Sequence, residues 1–122
     1  MIVELRVYRC LPGRLPALLQ RCVDHALPLW QRHGIRQGGF WTTLVGASDL
    51  ELTYIILWES LAERTVKWHA FISDPDWLRA HAASEADGRI VARVRNQLLV
   101  PTEFSKPAAV LDQPPVTRPS IG

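Results

Sequence analysis

The segment Leu52-Thr-Tyr-Ile-Ile-Leu-Trp58 places Tyr54, Ile56 and Trp58 at one parity and Ile55 and Leu57 at the other. Successive side chains of a strand point to opposite faces, so a strand built from this segment has to be covered on both sides. A layer of helices covers one face of a sheet, and the second face then needs a layer of its own. With 122 residues the chain has room for one domain, so that second layer has to come from outside its own core.

The remaining elements are read from periodicity and punctuation. Residues Ile2 to Cys10 alternate, with Val3, Leu5 and Val7 on one face and Ile2, Glu4, Arg6 and Tyr8 on the other. The first set reads as core. The second carries a carboxylate, a guanidinium and a phenol, and it reads as the uncovered face in register with Tyr54, Ile56 and Trp58. Leu11-Pro12-Gly13 breaks the strand. Leu15, Leu18, Leu19, Cys22, Ala26, Leu29, Trp30 and His33 then recur at helical spacing, with a kink expected at Pro28 and a left-handed cap at Gly34. Gly38-Gly39 opens a second strand over Phe40–Val45, Gly46-Ala-Ser-Asp49 turns it, and Leu52–Trp58 completes a hairpin. Ser60-Leu-Ala-Glu63 has the capping-box pattern and starts a helix to about Ile72. Asp74-Pro75 starts a short helix with Trp77 and Leu78, and a last strand spans about Arg93–Val100.

The order β-α-β-β-α-β predicts an α+β fold of ferredoxin-like, split-βαβ type: a four-stranded antiparallel sheet with its helices on one face. This domain is expected over residues 1–104. From Ser105 the chain has four prolines and no sustained period, so residues 105–122 read as a disordered tail or an extended arm.

Composition narrows the function classes. Hydrophobic residues at 48% and charged residues at 21% suit a folded domain, and a net charge of +2 with arginines spread from Arg6 to Arg118 carries no nucleic-acid footprint. No apolar run is long enough for a membrane span and the N-terminus has no export pattern, which together with two isolated cysteines, Cys10 and Cys22, predicts a cytoplasmic protein without disulfides. His25, His33, His69 and His81 show no metal-ligand spacing, and no cofactor is predicted.

An apolar, aromatic sheet face left bare would be an association site. Two copies packing these faces together answer the need, with a cavity enclosed between the two sheets. Within it Glu4, Arg6 and Tyr8, roughly 7 Å apart on one strand face, are the catalytic candidates. Arg6 would hold a carboxylate or enolate, and Glu4 or Tyr8 would move a proton. The same trio also fits a satisfied polar cluster in an interface. Phe40, Thr42, Tyr54, Ile56 and Trp58 are the ligand-binding candidates, as walls for an apolar or aromatic molecule. Trp30, Trp68 and Trp77 read as packing residues. His33 or His69 would coordinate a haem only by reaching the cavity.

Six segments resemble the NIPSNAP family, over Ile2 to about Pro107. They are Ile2-Val-Glu-Leu-Arg-Val-Tyr8 with Pro12-Gly13; Leu27-Pro28-Leu29; Gly39-Phe40-Trp41-Thr42-Thr43 to Gly46; Trp58-Glu59-Ser60-Leu61-Ala62-Glu63-Arg64; Asp74-Pro75-Asp76-Trp77; and Pro101-Thr102-Glu103-Phe104-Ser105. The resemblance implies a dimeric α+β barrel. It departs at Tyr54 and Ile56, where the family commonly has a histidine and a tryptophan, so no role of that imidazole carries over. Related barrels include cofactor-free oxygenases, isomerases, cyclases, haem enzymes and plain binders. The readings left open are a homodimer binding a small apolar or aromatic molecule, as an enzyme needing no cofactor; a non-catalytic dimeric interaction module; and a haem-dependent enzyme.

Overall fold

A computed structural model describes residues 1–105, so the expectation for the proline-rich tail falls, Ser105 apart, outside the described residues. β1 (Ile2–Cys10) is followed by α1 (Leu15–Arg21), a π-turn (Cys22–Ala26) and α2 (Leu27–His33), which run on as one helix. Where a kink was expected at Pro28, the chain has this π-turn just ahead of it. Pro28 has no N–H for the carbonyl of Asp24, and the Leu27 N–H reaches five residues back to Cys22. Gly34 closes the helix in the left-handed conformation, at φ 70°.

β2 (Arg36–Thr42) and β3 (Glu51–Trp58) make the expected hairpin, but β2 begins at Arg36 instead of Phe40 and ends at Thr42 instead of Val45. The Gly38-Gly39 pair lies inside the strand: the register slips between Gln37 and Gly39, which is a bulge, and Gly39 sits at φ +137°. A Cβ at Gly38 would come within 2.6 Å of the Ile55 side chain.

α3 (Leu61–Ile72) starts at the expected cap, with Ser60 Oγ accepting from the Glu63 N–H at 3.1 Å; the Glu63 carboxylate accepts in turn from the Glu59 N–H at 3.2 Å. α4 (Pro75–Ser84) is capped by Asp74, and β4 (Val91–Leu99) begins two residues ahead of the expected Arg93. Among the described residues no helix is long and apolar enough to cross a membrane.

The sheet is antiparallel throughout, in the order β2-β3-β1-β4, which is the ferredoxin-like arrangement. Directly paired residues share a face. Glu4 pairs with Ile56 and Leu98, Arg6 with Tyr54 and Asn96, and Tyr8 with Leu52 and Val94. This face lies beneath the helices, where Leu18, Trp30 and Phe71 join Leu52, Ile56 and Trp58 in the core.

The face assignment made from sequence is therefore reversed. Val3, Leu5 and Val7, paired with Leu57, Ile55 and Thr53, form the face that no described helix covers. Alternation separates two faces of a strand without saying which one the helices take. A polar trio that satisfies its own hydrogen bonds is not barred from the covered side.

Candidate functional site

Beneath α3, Glu4 is completely buried and still ionised. Its Oε1 accepts from Arg64 Nε at 2.8 Å and Trp58 Nε1 at 3.0 Å, and its Oε2 from Arg6 Nη1 at 2.9 Å, Arg64 Nη2 at 3.1 Å and Asn96 Nδ2 at 3.1 Å. Burial alone would raise this carboxyl, but the donors, Arg64 foremost, outweigh it and bring the pKa to about 2. Every lone-pair direction of the carboxylate is in use.

Arg6 carries the network outward. Its Nε donates to Tyr54 Oη at 3.0 Å and its Nη2 to Tyr8 Oη at 3.1 Å, while Tyr54 Oη donates to Tyr8 Oη at 3.0 Å. The guanidinium lies 4.7 Å from the Trp68 ring centroid, a cation–π contact. Burial works against the Arg6 charge, yet Tyr54, Tyr8 and Glu4 hold its pKa above the usual value. Burial likewise pushes the Tyr54 phenol well up, so Tyr54 stays neutral. Tyr8 Oη receives two hydrogen bonds, which leaves its own hydrogen to donate.

These phenols line a cavity of about 270 Å³ between the sheet and the helices of a single chain. Aromatic side chains make up much of its wall: Trp30, Phe40, Tyr54, Trp68, Phe71 and Trp77, with neighbouring ring centroids 4.7–6.2 Å apart. Arg6, Tyr8, Arg21 and His81 supply its polar groups.

The structure thus brings Arg6, Tyr8, Phe40 and Tyr54 together on one cavity wall. It does not bring in the other candidates. Glu4 and Trp58 bond to each other behind that wall, Ile56 is buried in the core, and Thr42 is exposed at the end of β2. This cavity lies under the helices, on the face that Arg6, Tyr8 and Tyr54 share.

Four wall residues carry chemistry that the sequence reading missed or read as packing. Trp30, Trp68 and Trp77 face the cavity, and the helical spacing that placed them inside could not separate a wall from a filled core. Arg21 is the fourth, three residues after Leu18 on the inner stripe of α1, where a lone charge among apolar positions is the available signal. Of the histidines, His33 is held by Asp74 at 2.7 Å and His69 is exposed, so neither of the two offered as haem ligands lines the cavity; His81 does.

The family model for NIPSNAP matches residues 3–106. The chain belongs to the NIPSNAP family. Solved NIPSNAP structures superpose on it closely. An uncharacterised NIPSNAP domain protein from Burkholderia xenovorans shares 23% identity, over 87% of this chain and 99% of that one, at a TM-score of 0.75. A NIPSNAP family protein with unknown function from Agrobacterium tumefaciens shares 26% identity, over 86% and 91% of the two chains, also at 0.75. The fold extends further, to the protein Rv0793 from Mycobacterium tuberculosis at 16% identity and a TM-score of 0.57, covering 86% of this chain and 98% of that one. No match was found among curated proteins.

Proposed function

We propose that this NIPSNAP chain works as a homodimer in which each copy binds a small aromatic molecule in its own cavity between sheet and helices, and that Tyr8 performs acid–base chemistry on it without a cofactor. The observation that carries the reading is the pairing of an aromatic-walled cavity with a phenol whose oxygen is held by two donors and whose hydrogen is free. Rings stack on such walls, and a volume of about 270 Å³ suits a molecule of one or two rings.

Arg6 positions Tyr8 and Tyr54 and, with its charge shared by Glu4, polarises the phenol pair. With its oxygen held by the Arg6 and Tyr54 donors, Tyr8 has its hydrogen aimed at a ligand, so it can donate that proton to a carbonyl or enolate oxygen and take one back from the ligand in a later step. Glu4 is excluded from that work because its oxygens are already occupied by five hydrogen bonds.

The second copy is supported by the uncovered face. Val3, Leu5, Val7, Ile55 and Leu57 form an apolar centre, while Arg9, Arg95 and Glu51 supply both signs of charge at its border. Such a surface is self-complementary under a two-fold axis, and sheet-on-sheet packing would give Ile55 and Leu57 the cover their strand lacks.

Titration calorimetry with 2-naphthol as probe tests the cavity. One saturable site per chain is expected, and Ala26→Phe, which fills the space from the buried wall position Ala26, is expected to abolish it with the fold retained. Absence of saturable binding to the unmodified chain, or binding that survives Ala26→Phe, contradicts the reading.

A further inference from the structure

Arg21 is only 5% exposed, yet among the described residues it has no carboxylate partner. Other arginines that reach inward are paired: Arg6 and Arg64 share Glu4, and Arg14 meets Asp87 at 3.0 Å. What Arg21 has instead is one hydroxyl, Ser84 Oγ at 3.3 Å from Nη1, and the Trp77 ring at 5.6 Å. The two thiols beside it give no counter-charge. Burial raises both the Cys10 and the Cys22 thiol, Cys22 to about 11, so both stay neutral. A buried cation left in this state is costly unless an anion arrives to meet it.

Its position says where the anion would come from. Arg21, His81, Val91 and Val94 line both the aromatic cavity and an adjoining groove between α4 and β4. That groove adds Arg89 and one carboxylate, Glu85, whose Oε2 already accepts from the Ile90 N–H at 3.1 Å, and Arg93 borders it from the edge strand although its register with Arg9 assigns it to the uncovered face. The way in is therefore positively charged, which draws anionic ligands toward the cavity.

From this we infer that the ligand carries a carboxylate on its aromatic body and that Arg21 receives that carboxylate at the α1–α4 end of the cavity, with the ring lying against the aromatic wall. The inference rests on the cavity reading above and names its ligand class. The guanidinium fork matches a carboxylate with two parallel hydrogen bonds, which a lone hydroxyl does not use up. Arg6 is less suited to the task, since Glu4 and two phenols already occupy it.

Calorimetry on the full chain with 2-naphthoate and its neutral counterpart 2-naphthamide separates the two claims. The carboxylate is expected to bind at least about tenfold more tightly, since hydrogen bonds to charged groups are the stronger kind. In Arg21→Gln that preference is expected to vanish, with naphthamide affinity unchanged. Should Arg21→Gln not fold, Arg21→Lys decides: loss of the fork is expected to weaken naphthoate several-fold and leave naphthamide alone. Equal affinity of the two probes for the unmodified chain, or a preference untouched by both variants, overturns the role of Arg21 while the cavity stands. If neither probe binds, the cavity reading itself falls, and this inference with it.

Discussion

At the scale of single residues, Glu4 joins β1, β3, β4 and α3 through one carboxylate. Its pKa of about 2 lies below the ordinary value of 4.5, so it contributes stability that is fully present above about pH 5 and is lost as the pH falls toward 2. The contribution is roughly 3 kcal/mol. Urea unfolding of the unmodified chain should therefore show a midpoint that drops steeply between pH 5 and pH 2. Glu4→Gln leaves Arg6 and Arg64 without their shared charge and is expected to cost about 3–5 kcal/mol at pH 7 and to flatten that acid dependence. An unchanged midpoint at pH 7 would show that the buried network is not what holds these strands to α3.

At the scale of elements, the capping residues Ser60 and Asp74, the glycine stop at Gly34 and the hairpin were all legible in the sequence, since each rests on a local hydrogen bond or backbone preference. Two features were not. The Gly38-Gly39 pair looks like a strand boundary but is a bulge within β2, because only pairing with β3 decides whether a flexible residue ends a strand or bends it. Gly39→Ala should be destabilising by about 1–3 kcal/mol, as a Cβ at φ +137° is strained and would also lie 2.7 Å from the Trp41 ring; a thermal melt equal to that of the unmodified chain would contradict the bulge geometry. The other feature is the sheet face. Alternation groups Arg6, Tyr8 and Tyr54 on one face of the sheet, and they do share a face, but the one beneath the helices and not the bare one that the sequence suggests. What covers a face is a property of the tertiary packing, and the arginine that satisfies Glu4 from above, Arg64, is 60 residues away.

At the scale of the whole molecule, the reversal leaves the case for a dimer standing on different residues. The apolar surface to be covered is Val3, Leu5, Val7, Ile55 and Leu57, while the cavity proposed for the ligand lies on the other side of the sheet, beneath the helices. Leu5→Arg places a charge at the centre of that surface, so sedimentation equilibrium should show a dimer for the unmodified chain and a folded monomer for the variant. A monomer in both would remove the second copy and leave the cavity untouched. The cavity is the central claim, and the small molecules retained by the chain on purification test it most directly. Mass spectrometry of material released on denaturation, compared between the unmodified chain and Ala26→Phe, should find an aromatic molecule enriched with the former and missing from the latter. Identical small-molecule profiles from the two would mean that nothing occupies the space beneath the helices.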